Sequence, residues 1–287
     1  MQPHESRSGV CESRRVERES RSEARESRSE ARESRSRARE SRPQEPESRR
    51  PGRRVPVLAL HGTFGTAQSF APVEGLRLIA HDQRGHGAAS QRGPFDREAF
   101  VADAAAQIRA AGVGPCVVLG HSMGGLTAYQ LAARQPELVS ALVVVDEGAV
   151  VPPSILDVTG WPVHLGSRAL WQEFFVDSPA PEYFLRSVVR DEHGWRLAFD
   201  YADMMAVQRH CVGDWWDDWL GSTCPALLLR AEHSMLLTGE HAAEMAARRP
   251  NTELVEFAGC GHWLHEQQPR AFADTVLSFL DRHGLSR

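Results

Sequence analysis

Ser122 stands in Gly120-His121-Ser122-Met123-Gly124-Gly125, directly after the apolar run Cys116 to Leu119 and directly before a stretch rich in alanine and leucine. A serine hydroxyl becomes a useful nucleophile only when a base takes its proton and fixed donors hold the charge that forms on the attacked carbonyl. A G-x-S-x-G turn between a strand and a helix meets the second need, because the bend pushes the hydroxyl outward beside unpaired N–H groups at the helix start. The flanking glycines let neighbouring backbone pass without a Cβ clash. A second glycine turn, His61-Gly62-Thr63-Phe64-Gly65, follows the apolar run Val55 to Leu60, the position of an oxyanion loop. The expected oxyanion donors are the backbone N–H of Met123 and that of Thr63 or Phe64. This chemistry requires no cofactor and no metal.

From about Val55 to the C-terminus the chain resembles the α/β-hydrolase fold superfamily, in particular small serine esterases whose elbow reads G-H-S-M-G-G. Asp82-Gln83-Arg84-Gly85-His86-Gly87 is similar to that family's D-x-R-G-x-G turn, in which Asp82 and Arg84 are expected to be structural. The resemblance implies the order nucleophile, acid, base, with the base after the last strand. Ala258-Gly259-Cys260-Gly261-His262-Trp263 lies there, which makes His262 the base. His265 lacks the glycine setting and is expected as a helix-start or lid contact, while His121 and His241 are expected as local polar residues.

The acid departs from the common pattern of the family. Relatives usually carry an aspartate after the strand that corresponds to Ala226 to Arg230, whereas this chain reads Ala231-Glu232-His233-Ser234-Met235-Leu236. Some esterases of the group draw their acid from the earlier strand end, and Asp146 in Val143-Val144-Val145-Asp146-Glu147-Gly148 occupies that place. Asp146 is therefore the expected acid, Glu232 the alternative and Glu147 the third choice. With none of them in reach a slower Ser122–His262 dyad would remain.

The reaction implied is hydrolysis of a small apolar carboxylic ester, lactone or thioester through an acyl-enzyme. Carbon–carbon bond hydrolysis or cofactor-free perhydrolysis on the same triad is the alternative, and a non-catalytic ligand-binding protein is the alternative of another class. Epoxide hydrolases and haloalkane dehalogenases are disfavoured, because those relatives carry an aspartate where this chain has Ser122. The segment 150–223 supplies most of the aromatic side chains, which points to an apolar acyl or alcohol group. Trp161, Trp171 and Trp263 are the expected substrate-binding residues.

Positioning these groups requires a doubly wound α/β core. Short apolar runs at Val55 to Leu60, Leu76 to Ala80, Cys116 to Gly120, Ala141 to Val145, Ala226 to Arg230 and Leu254 to Phe257 predict six strands of a mostly parallel sheet. Helical patterns at Asp96 to Ala111, Met123 to Arg134, Gly239 to Arg249 and Pro269 to His283 predict its covering layers. The core is thus assigned to 53–149 and 224–287. The interval 150–223 is too long for a plain crossover and is assigned to an inserted helical cap.

Residues 1–52 have a different texture. Glu19 to Arg42 repeats every seven residues, with one alanine per repeat and no large apolar residue, so there is no seam for a coiled coil. Like charges at i,i+4, as in Glu19 with Glu23, oppose an isolated helix; the segment is expected to be a disordered, non-catalytic tail. The first 54 residues carry 16 arginines against 11 glutamates, the remainder 17 arginines against 27 acids. The basic tail could be read as an arm for RNA or an acidic partner, but its composition is better read as a non-catalytic tail, and no nucleic-acid partner is expected. No apolar run approaches the length of a membrane span, no secretory leader is evident, and five scattered cysteines form no C-x-x-C pair. These features fit a reducing, cytoplasmic setting.

Overall fold

In the computed structural model, residues 55–89 and 91–285 are described. The expected tail at 1–52 lies outside them. The described chain begins with β1 (Pro56–Leu60), β2 (Arg77–Ala80), α1 (Arg97–Ala111), β3 (Cys116–His121), α2 (Met123–Arg134) and β4 (Val139–Val145). After the insertion it resumes with β9 (Ala226–Ala231), α7 (Gly239–Arg248), β10 (Thr252–Phe257), α8 (Leu264–Gln267) and α9 (Pro269–Arg282). The six strands form one sheet in the order β10-β9-β4-β3-β1-β2, and every pairing in it is parallel.

Period-two alternation along the central strands divides the interior. Leu58, Leu60, Val118, Leu142, Val144 and Leu228 join one apolar cluster, together with Phe100, Ile108 and Tyr129 from α1 and α2. Their alternate neighbours Val57, Ala59, Val117, Leu119, Val143 and Leu227 join a second cluster with Phe272, Val276 and Phe279 of α9. Strands buried on both faces read as continuous apolar runs, which is why they were visible in the sequence. Fully burying each such side chain contributes about 1.5–3 kcal/mol.

Local signals fix the helix ends. The Asp96 carboxylate accepts the Ala99 N–H at 2.8 Å and caps α1, and the helix closes on Gly112 with φ 64°. Thr238 caps α7 through the His241 N–H, and Pro269 occupies the first turn of α9, where its missing N–H costs nothing. Because β2 and β3 lie on opposite sides of β1, the crevice at the C-terminal ends of β1 and β3 is a topological switch point.

Between β4 and β9 the insertion contains the short helices α3 (Arg168–Phe174), α4 (Pro181–Leu185), α5 (Tyr201–Cys211) and α6 (Trp216–Leu220). It is not purely helical. β5 (Val150–Val151) pairs antiparallel with β8 (Gly213–Asp214), and β6 (Val188–Asp191) pairs antiparallel with β7 (Gly194–Leu197). Pieces of two to four residues are too short to display a strand period. Among the described residues no helix is long and apolar enough to cross a membrane.

Candidate active site

Between the end of β3 and the start of α2, Ser122 alone makes the turn, with φ 52° and ψ −127°. Such a conformation is strained for a non-glycine residue and persists only where its surroundings fix it. Its N–H donates to the Val145 carbonyl at 2.9 Å, and its own carbonyl accepts the Leu126 N–H at 3.1 Å. A Cβ on Gly120 would fall on the Gly124 carbonyl, and one on Gly124 would fall on the Leu60 carbonyl. The helix can begin this close to the sheet only with glycine at both places.

Met123 is the first residue of α2, so its N–H has no carbonyl four residues back within the helix. Across the crevice Phe64 adopts φ 69°. The cap holds the carbonyls of this loop, since the Tyr183 hydroxyl donates to Thr63 O at 2.9 Å and the Ser187 hydroxyl to Phe64 O at 2.7 Å. Neither the Thr63 nor the Phe64 N–H has a protein acceptor among the described residues. In the sequence Tyr183 counts only as one of the aromatic side chains of the inserted segment and Ser187 stands out in no way, because a cap residue that reaches back to the core leaves no local signal.

His262 lies in the loop after β10, and its Nδ1–H donates to Asp146 Oδ2 at 2.8 Å. A carboxylate only accepts, so this bond assigns the proton to Nδ1 and leaves Nε2 with a lone pair. Asp146 is fully buried, with φ 52° at the C-terminal end of β4. Its Oδ1 accepts the Ala231 N–H at 2.9 Å, and its Oδ2 also accepts the Ser234 hydroxyl at 2.7 Å. Three donors offset the cost of burying that carboxylate. The loop after β9 therefore supplies a serine to support an acid from the neighbouring strand. Sequence spacing gives no sign of this role for Ser234, although it lies in the Ala231 to Leu236 stretch where the family's usual acid falls.

Glu232 does not reach the imidazole. It is exposed, and its carboxylate accepts the Gly259 N–H at 2.7 Å, tying down the loop that carries His262. His265 takes the expected helix-start place, on α8, and is not a lid contact: the ring is fully buried, packed against Phe70 and Phe272. Its position on the turn α8, between core layers, turns it inward. The His121 ring lies 4.6 Å from that of His262 and 4.5 Å from that of His265, and its Nε2–H donates to the His262 carbonyl at 3.0 Å. Burial pushes the pKa of His121 well below its ordinary value and that of His265 to about 3. Both rings stay neutral and put no competing positive charge beside His262.

Ser122, Met123, Thr63, Phe64 and His262 border one cavity of about 620 Å³. Trp161 and Trp263 line it as well, but Trp171 does not. Trp171 is fully buried in the core of the cap, stacked on Phe175, with its Nε1–H donating to the Trp195 carbonyl at 2.9 Å. The cap has to bury its own apolar side chains, and composition alone does not separate those from wall residues. Asp82 accepts the N–H groups of Ala67 and Ala88, and Arg84 makes a two-pronged ion pair with Asp103. Both residues brace loops. The geometry thus collects a serine hydroxyl, an oriented imidazole and free backbone donors around one apolar cavity, the inventory required for acyl transfer.

Comparison with known proteins gives a consistent picture. The sequence model described as Alpha/beta hydrolase family matches residues 57–275. The chain is 28% identical over 249 residues to the sn-1-specific diacylglycerol lipase of Mus musculus, covering 78% of this chain and 80% of that one. It is 26% identical over 256 residues to the 2-(acetamidomethylene)succinate hydrolase of Mesorhizobium japonicum, covering 81% and 90%. The crystal structure of an E-2-(acetamidomethylene)succinate hydrolase superposes with a TM-score of 0.71 at 23% identity, covering 78% of this chain and 91% of the other.

Proposed function

The chain belongs to the alpha/beta hydrolase family, and from that premise we propose that it is a serine hydrolase that cleaves a small, mainly apolar carboxylic ester through an acyl-enzyme. The observation that carries this reading is the His262–Asp146 hydrogen bond at 2.8 Å beside the same cavity as Ser122. The kinship with a diacylglycerol lipase supports an ester as the substrate class, and the aromatic walls support an apolar acyl or alcohol group.

In this mechanism His262 Nε2 takes the Ser122 proton as the hydroxyl oxygen attacks the ester carbonyl. The tetrahedral oxyanion is held by the Met123 N–H and by that of Thr63 or Phe64, each donor contributing about 10²-fold or more in rate. His262 returns its proton to the departing alcohol. It then takes a proton from water, whose oxygen attacks the acyl-enzyme carbonyl, and on collapse it gives that proton back to Ser122 as the acid leaves. Asp146 fixes the imidazole tautomer and stabilises the imidazolium at each of these moments. Against p-nitrophenyl esters of short and medium chain length, the Ser122→Ala variant is expected to lose about 10⁴-fold or more in kcat and all labelling by a fluorophosphonate probe. A wild-type protein that neither turns over these esters nor takes the label on Ser122 would refute the reading.

A further inference from the structure

Glu147 follows the acid Asp146 directly at the end of β4 and faces the cavity rather than the sheet. It is 4% exposed. One carboxylate oxygen accepts the neighbouring Gly148 N–H at 3.0 Å. Among the described residues no arginine, histidine or side-chain hydroxyl pairs with it. Arg97, a buried cation whose charge reaches it, spends its guanidinium on Gln130, Thr127 and the Cys211 thiol. A carboxyl group this enclosed and this poorly partnered is expensive unless something else satisfies it.

Its surroundings in the cavity are mainly apolar, with Trp161, Phe175, Phe184 and Leu236 among the walls. The other acidic side chain that borders the cavity, Asp177, is exposed. Burial raises the pKa of Glu147 to about 7, against the pull of the Gly148 N–H and of the His262 and Arg97 charges, with Asp146 adding to the rise. The group is therefore about half protonated near neutrality rather than a fixed anion, and an uncharged donor can meet its acceptor oxygen in either form.

We propose that Glu147 is a specificity-determining residue that accepts a hydrogen bond from an uncharged donor, a secondary amide or a hydroxyl, carried by the substrate at a distance from the scissile carbonyl. The inference rests on the hydrolase reading and deepens it: the substrate is an apolar ester with one polar handle, and the handle meets Glu147. A hydrocarbon in that place would leave the buried carboxyl without a partner. Sites built around a buried polar group discriminate most strongly against analogues that lack its complement.

The test uses p-nitrophenyl 3-acetamidopropanoate, 4-acetamidobutanoate and 6-acetamidohexanoate, each paired with its N-methylated analogue, which differs by the donor N–H. The readout is the ratio of kcat/KM within each pair. For the best-fitting spacer the wild-type protein is expected to favour the N–H ester by about 10-fold or more. Glu147→Leu should bring the ratio close to one, and Glu147→Gln, which keeps an acceptor oxygen, should retain part of it. A merely structural role would change both members of a pair together. A wild-type ratio near one at every spacer, or a preserved ratio in a folded Glu147→Leu protein, overturns the inference while ester turnover keeps the hydrolase reading intact. Absence of turnover together with absence of fluorophosphonate labelling at Ser122 would remove both.

Discussion

The strand ends that carry Ser122, Asp146 and the donors around them are built to different tolerances from the cap above. At the strand ends two non-glycine residues are held at φ 52°, backbone lies where a Cβ would have to go, and each polar group of Asp146 has its own donor. In the cap, aromatic rings meet at several angles around Trp161, Phe175 and Phe184. Among its links to the core are the Tyr183 and Ser187 hydroxyls, which donate to carbonyls of the loop after β1. A buried hydrogen-bond network fails when one atom is wrong, whereas an apolar wall degrades gradually as area is lost. The core should therefore control rate and the cap should control binding.

Asp146→Asn is the strongest way to break this contrast. It keeps the shape but offers His262 the wrong hydrogen-bonding partner, and kcat is expected to fall about 10⁴-fold with little change in melting temperature. Full activity in that variant would end the assignment of Asp146. Gly124→Ala is expected next, because its Cβ meets the Leu60 carbonyl, backbone that cannot swing aside. A loss of about 3 kcal/mol or more would lower the melting temperature by roughly 6–12 °C, measurable by thermal denaturation. Trp161→Ala tests the cap: KM for medium-chain esters should rise about 10-fold while kcat changes by less than about 3-fold. A loss confined to kcat would mean that the cap takes part in the chemistry.

The smallest expected effect lies at the border between the two regions. Burial raises the pKa of Glu147 to about 7, so over the window from about 4.5 to 7 the folded protein keeps a proton that the unfolded chain has released. Stability from this group is thus greatest at acid pH and falls as pH rises through that window. Glu147→Gln removes the titration, and its melting temperature relative to wild type should climb by a few degrees between pH 5 and pH 8. A constant difference across pH would show that Glu147 is ionised throughout.

Much of this architecture could be read along the chain. The central strands announce themselves because strands buried on both faces must be apolar throughout, while the half-exposed edge strands β2 and β10 are legible as shorter apolar runs between turns, and all of these patterns are local. Ser122 was legible for the same reason, since strand, glycine, serine, glycine and helix follow one another without interruption. His262 and Asp146 were legible only through order along the chain and a family resemblance.

What the amino-acid sequence determined by itself, then, is the sheet, its helices and the turn that presents Ser122, all set by interactions between near neighbours. Only the tertiary structure decided that Asp146 rather than Glu232 meets the imidazole, that Ser234 supports it across 88 residues, and that Trp171 belongs to the core of the cap. It also turned Glu147 toward the cavity. The physical reason is common to all four: each depends on which strand ends and loops become neighbours when the sheet assembles, and such adjacency leaves no trace in local spacing.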